Sequence, residues 1–233
     1  MILEKIVGIL GGMGPEATVD FFAKLVRLTP ANKDQDHLRI IIDNNPKIPD
    51  RTETTLTKNE TLLPMLVETG ENLEKAGADF IVIPCNTAHY FYDDLTKHLS
   101  VPVLHMIREV TDAVKVSLPS CKRVGLLATT GTVTSKLYQK ECEKVGMNVV
   151  IPDAKGQDRI MEAILEIKAG SSKTSARRTI LKEANQLLEQ HKAEALILGC
   201  TDIPLVIKSN DFSVPVFDSN MVLAQAAVKF ARP

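Results

Sequence analysis

Ile83-Pro84-Cys85-Asn86-Thr87 and Leu198-Gly199-Cys200-Thr201-Asp202 each end a short apolar run rich in branched residues, the composition of a buried parallel strand. Two further pairs flank them in the same order: Gly8-Ile9-Leu10 with Gly125-Leu126-Leu127, and Val101-Pro102-Val103 with Val214-Pro215-Val216. In chain order the three pairs are offset by 117, 115 and 113 residues. Three landmarks at near-equal spacing indicate an internal duplication.

Outward from these landmarks, apolar runs alternate with stretches of helical period, which argues for βαβ units. The runs predict strands at Lys5–Leu10, Leu38–Asp43, Asp79–Pro84, Pro102–His105, Arg123–Ala128, Asn148–Pro152, Ala195–Gly199 and Pro215–Phe217. The expected fold is α/β, with two pseudosymmetric domains, each a small parallel sheet flanked by helices. The first lobe is expected to span residues 1–108 plus 218–233, with a last helix over Met221–Ala231 returning to it, and the second residues 109–217. Ligands of such sheets bind beyond the carboxyl ends of the strands, so the site is expected between the lobes.

Composition narrows the function. The 233 residues carry 28 Lys plus Arg against 29 Asp plus Glu, a net charge of -1 without blocks of one sign, so no footprint for nucleic acid or anionic membrane exists. Seven Phe, three Tyr and no Trp leave little for base stacking, and no apolar run approaches the roughly 20 residues of a membrane span. Lys5 followed by Ile6–Leu10 imitates a signal peptide only until Gly11-Gly12, which leads to Pro15-Glu16 without a cleavage site. A cytoplasmic location is therefore expected. Its four cysteines, none in a Cys-x-x-Cys pair, are expected to be free thiols rather than disulfides or metal ligands.

Cys85 and Cys200 hold equivalent places, each past a strand and before a helix. There, free N–H groups and the helix dipole favour a thiolate, so lowered thiol pKa values are expected. Two opposed thiols suit removal of a proton from one face of a carbon and its return to the other, which is racemisation. The plainer reading, two small buried hydrophobes, leaves the duplication of the motif unexplained. Cys121 and Cys142 lack counterparts. Gly12-Met13-Gly14-Pro15-Glu16-Ala17 fits a dinucleotide loop, but its acidic partner, Asp43, lies 29 positions after Gly14 rather than about 20, so a turn that binds a carboxylate fits better. Arg51 is either a bidentate carboxylate clamp or a surface residue paired with Asp50 or Glu53. Lys168, before Gly170, is either a second cation for the ligand or the complement of a helix C-terminus. His89, His98 and His105 show no metal-ligand spacing and are expected at the surface or as caps, His89 being the nearest to Cys85.

Over almost its whole length the chain resembles the aspartate/glutamate racemase family of cofactor-independent enzymes. The resemblance rests on Gly8-Ile9-Leu10-Gly11-Gly12-Met13-Gly14-Pro15, Pro84-Cys85-Asn86-Thr87-Ala88-His89, Ala128-Thr129-Thr130-Gly131-Thr132 and Leu198-Gly199-Cys200-Thr201-Asp202-Ile203-Pro204. It implies a homodimer, a cleft between domains, and neither pyridoxal phosphate nor metal. Cys85 and Cys200 would match the family's two bases. Asn86, Thr87, Thr129, Gly131, Thr132 and Thr201 would hold the α-carboxylate and amino group, and Arg51 and Lys168 would lie near an acidic side chain. Met13 and Asn45, after the first two strands, complete the expected substrate-binding set. Glutamate racemases carry an acidic residue in the first motif and His after the second Cys-Thr, where this chain has Gly11-Gly12-Met13 and Asp202. The expected reaction is therefore racemisation of an acidic amino acid, aspartate first and glutamate second. The competing readings are a single-thiol lyase or isomerase of a small dicarboxylate, and a non-catalytic binder of small acids.

Overall fold

The structure, a computed structural model, describes residues 4–59 and 61–232; the extreme ends of the expected first lobe, residues 1–3 and 233, lie outside the described residues. Strands β1 (Val7–Gly11), β2 (Ile40–Asn44) and β3 (Phe80–Val82) form a parallel sheet in the order β2-β1-β3. Strands β4 (Arg123–Ala128), β5 (Asn148–Val150), β6 (Ala195–Gly199) and β7 (Val216–Asp218) form a second parallel sheet in the order β5-β4-β6-β7. The duplication fixes equivalent registers. Gly8 of β1 lies opposite Ile41 and Ile81, and its counterpart Gly125 of β4 lies opposite Val150 and Leu196.

Most expected strands shift or shorten by one to three residues, but Pro102–His105 is not a strand. Only Val103 forms a bridge, to Ile81, with Ile81 N–H donating to the Pro102 carbonyl at 2.8 Å and Leu104 N–H to the Ile81 carbonyl at 3.0 Å. Pro102 has no N–H to extend the ladder, and His105 is already committed as the N-cap of the next helix. In the second lobe β7 fills this place.

Helices α1 (Pro15–Leu28), α2 (Arg51–Thr57), α3 (Leu62–Lys75), α4 (Tyr92–Leu95) and α5 (Met106–Ser117) surround the first sheet. Helices α6 (Thr130–Thr134), α7 (Leu137–Lys144), α8 (Ala154–Lys168) and α9 (Lys173–Glu189) surround the second, and α10 (Ser219–Ala231) closes the chain. The amphipathic face of α1 buries Phe21 and Leu25 in a core that also takes Val7 and Ile9 of β1, Leu126 of β4 and Ile197 of β6. One continuous core thus runs beneath both sheets. Asp218 caps α10, accepting from Asn220 N–H at 2.8 Å, and at the far end Lys5 N–H donates to the Ala231 carbonyl at 3.1 Å. Phe230 meets Phe80 edge to face at 4.8 Å, so α10 lies on the first sheet. No described helix is long and apolar enough to cross a membrane.

The loop after β1 needs glycine at residue 12. Its φ is +92°, and a Cβ there would come within 2.4–2.6 Å of the Asn45 backbone. The close contact sets the loops after β1 and β2 side by side, which aims Met13 and the start of α1 at the second lobe.

Candidate active site

The carboxyl ends of β3 and β6 deliver Cys85 and Cys200 into one narrow cleft between the lobes, each 6 % exposed. Met13, Asp50, Arg51, Thr52, Asn86, Thr87, Thr129, Met161, Leu165, Lys168, Gly199, Thr201 and Asp202 complete its walls. The free volume is about 20 Å³, room for about one water. Asp50, Arg51, Lys168 and Asp202 also bound an outer pocket of about 240 Å³, reaching Gly12, Gly14 and Pro15, so these four side chains stand between the thiols and solvent. An amino acid does not fit the cleft at this width.

The expectation of lowered thiol pKa values fails at Cys200. The element after it is a single 3-10 turn, Ile203–Leu205, too short to carry a helix dipole. Burial pushes the Cys200 thiol up to about 12, the Asp202 carboxylate pushes the same way, and Lys168 opposes both. The thiol donates to Asp202 Oδ2 at 3.7 Å. Cys200 is therefore protonated at neutral pH. Cys121 and Cys142 belong to the core, away from the cleft.

Hydroxyls and amides lock the two cysteine loops. Thr87, Thr129 and Thr132 form a triangle of hydroxyl contacts at 2.8, 2.9 and 3.1 Å, joining the lobes directly behind Cys85. Thr201 donates across the cleft to the Pro84 carbonyl at 3.2 Å. Asn86 donates to Ser219 Oγ at 3.0 Å and accepts from Tyr138 at 2.6 Å, while Ser219 donates to the Leu198 carbonyl at 2.8 Å. The oxygen and one of the two N–H groups of the Asn86 amide are thus used by protein, which makes it a strut holding Cys85 that still lines the cleft. Three expected contact residues stand outside the walls. Asn45 donates to Thr69 at 3.1 Å and supports Gly12, Thr132 is wholly buried, and Gly131 lets α6 approach α2, where a Cβ would lie 2.9 Å from Thr52 Cα.

Two cations face the thiols. Arg51 opens α2, capped by Asp50, and its terminal nitrogen donates to the carbonyls of Ile48 and Pro49 at 3.2 and 2.9 Å. Its Nε–H is buried without a partner. Arg51 lines the cleft, and a buried guanidinium donor without a protein acceptor there can serve an anion. Lys168 ends α8 and turns its side chain, 25 % exposed, inward to stand 3.6 Å from Asp202 Oδ2. Burial opposes its charge, but Cys200, once ionised, and Asp202 outweigh that and raise its pKa. It thus does more than complement its own helix end. Asp202, 2 % exposed, is the group that motif reading passed over. Burial raises its carboxyl pKa, against the pull of Lys168. The available signal was its position two residues after a matched cysteine.

His89 is neither at the surface nor in the cleft wall. Met106 N–H donates to its Nε2 at 3.0 Å, so the proton sits on Nδ1 and is donated to the Cys85 carbonyl at 2.9 Å. The ring ties the Cys85 turn to the start of α5, and burial holds its pKa down to about 4. Below pH 6.5 the unfolded chain takes up this proton while the native state does not, so stability present above that pH is lost as pH falls toward 4. The unfolding free energy of the native sequence should drop by about 2 kcal/mol more than that of His89→Gln between pH 7 and 4.5. Urea titrations at both pH values measure the difference; equal losses would remove the assignment. His105 caps α5, accepting from Arg108 N–H at 3.3 Å, and burial lowers its pKa to about 3. His98 is exposed.

The family model described as Asp/Glu/Hydantoin racemase matches residues 10–227. The chain belongs to this family. The broad specificity amino-acid racemase RacX of Bacillus subtilis is 31% identical over 226 residues, 95% of this chain and 96% of that one. An aspartate racemase from Picrophilus torridus superposes with a TM-score of 0.86 at 38% identity, covering 97% of this chain and 94% of that structure. An aspartate racemase homologue from Pyrococcus horikoshii gives 0.80 at 27% identity over 99% and 100% of the two chains. The protein is an amino acid racemase of α/β fold, and the cleft holding two cysteines from equivalent strand ends is its candidate active site.

Proposed function

We propose that the enzyme interconverts L- and D-aspartate, with glutamate a secondary substrate, by a two-thiol mechanism in the cytoplasm. The lobes divide at residues 1–108 plus 218–233 and 109–217. The observation that carries this reading is the burial of Cys85 and Cys200 in one cleft beside Arg51, whose Nε–H has no protein partner.

One thiolate takes the Cα proton from one face; the opposing thiol gives its own proton to the other face and becomes the thiolate. Charge is conserved and the roles are reversed for the return reaction. Asp202 keeps the proton on Cys200, which suits Cys200 to act as the acid. The intermediate is a carbanion beside a carboxylate, and donors fixed before the reaction must stabilise it. Thr87 and Thr129 line the cleft where that carboxylate would lie, and their hydroxyls would turn to it from their contact with each other. Arg51, assisted by Lys168, takes the side-chain carboxylate. A single-thiol lyase would need only one cysteine, and a binder needs neither.

The test is incubation of L-aspartate with the protein in D2O. D-aspartate carrying one deuterium at Cα is expected, by chiral chromatography and proton NMR. Absence of both D-aspartate and exchange would refute the racemase reading, and turnover of neutral amino acids at equal rates would refute the preference for acids.

A further inference from the structure

We propose that Tyr138 is a positioning residue for the reaction: its ring and its hydroxyl hold the turns of Cys200 and Cys85 at once, and its hydroxyl fixes which atoms of the Asn86 amide are left for the substrate. The inference rests on the two-thiol reading of the cleft but not on which amino acid is turned over. Tyr138 belongs to α7 of the second lobe and is wholly buried in the continuous core. A Cβ at Gly199 would lie 3.2 Å from Tyr138 Cε2, so the ring edge packs against the residue that precedes Cys200. Its hydroxyl reaches the residue that follows Cys85, donating to Asn86 Oδ1 at 2.6 Å. One rigid side chain therefore touches both cysteine turns.

The hydrogen bonds beyond Tyr138 run in one direction. The Leu198 carbonyl can only accept, and Ser219 gives it its single hydroxyl proton at 2.8 Å. Ser219 Oγ can then only accept from Asn86, which turns Nδ2 toward it at 3.0 Å and leaves Oδ1 to Tyr138. Tyr138 must donate, and burial, which raises its phenol pKa well above the ordinary value, keeps that proton in place. A backbone carbonyl two residues before Cys200 thus sets the sense of an amide in the cleft wall. What remains of that amide for a substrate is one N–H, a donor suited to the charge that develops on the α-carboxylate.

The duplication separates the ring from its oxygen. At the 117-residue offset that pairs Gly8 with Gly125, Tyr138 falls on Phe21 of α1, which is equally buried in the same core. The framework asks for an aromatic ring at this place in each lobe. Only the second lobe adds an oxygen, and that oxygen meets the cysteine turn of the first.

Tyr138→Phe keeps the ring and removes the hydroxyl. For whichever amino acid the native enzyme racemises, kcat should fall by about 10-fold, less than the roughly 100-fold of a donor that touches the reacting group itself. KM should change by less than about two-fold, with far-UV circular dichroism retained, because the loss bears on the transition state. In an Asn86→Ala background the same substitution should lower kcat by less than about two-fold, since the partner through which it acts is gone. A hydroxyl that served packing alone would give the same loss in both backgrounds. Ser219→Ala frees the other side of the amide and should lower kcat to a similar extent, which reads the same chain even where Tyr138→Phe does not fold. An unchanged kcat in Tyr138→Phe or in Ser219→Ala would overturn the inference, as would a loss confined to KM or one undiminished by Asn86→Ala. Native turnover in Cys85→Ser or Cys200→Ser would instead remove the two-thiol reading, and this inference with it.

Discussion

Serine in place of Cys85 or Cys200 is expected to stop racemisation while leaving the fold intact, with kcat reduced by roughly 1,000-fold or more in each variant. Serine is close in size to cysteine, so the packing around residues 85 and 200 changes little. A hydroxyl is a far weaker acid than a thiol, and it can neither start as the base nor end as one. The two variants should nonetheless differ in what survives. With Cys85 intact and Cys200 replaced, one enantiomer can still lose its Cα proton to the remaining thiolate and regain a deuteron on the same face. With Cys85 replaced, only the other enantiomer can exchange, and more slowly, because Asp202 holds the proton on Cys200. Proton NMR of L- and D-aspartate incubated separately in D2O reads this opposite selectivity. Near-normal racemisation in either variant would sink the two-thiol assignment. Exchange of both enantiomers by one variant would do so as well.

The different environments of the two thiols make this test sharper than their sequence symmetry suggests. Cys200 faces the Asp202 carboxylate, and the corresponding position in the first motif, two residues after Cys85, is Thr87, whose hydroxyl is occupied by Thr129 and Thr132. The duplicated framework is symmetric; its protonation is not. Framework symmetry was legible because strand placement depends on local composition and spacing. Gly8 and Gly125 could be paired by eye and do occupy matching registers. What could not be read was anything decided by a partner distant in sequence. Pro102–His105 has the composition of a strand, yet it contributes only a bridge because its flanking groups are used elsewhere. Asn86 has the composition of a ligand donor, yet Tyr138 and Ser219, 52 and 133 residues away, take its oxygen and one of its two N–H groups. His89 depends on Met106, and Lys168 on Asp202. In each case the chemistry of the residue was visible and its satisfaction was not.

Arg51 is the reverse case, a residue whose chemistry remains unsatisfied. Lys168 already has Asp202 at 3.6 Å, whereas the Arg51 Nε–H is buried with no acceptor, so the charge open to a substrate carboxylate is chiefly that of Arg51. Arg51→Ala should therefore lower kcat/KM for aspartate by roughly 100-fold or more, the order expected when one partner of a buried charged hydrogen bond is removed. Arg51→Lys should recover only part of this, because an ammonium restores the charge but not the planar fork. Arg51 also donates to the Ile48 and Pro49 carbonyls, so some loss could come from a loosened start of α2. Selectivity separates the two causes. A substrate without a side-chain carboxylate, such as alanine, gains nothing from the guanidinium, and its turnover should fall little in Arg51→Ala. The ratio of kcat/KM values for aspartate and alanine should thus move toward the behaviour that the name of the Bacillus subtilis relative describes. Equal losses for both substrates would show that Arg51 shapes the cleft without reading the acid, and would return the choice of substrate to Lys168.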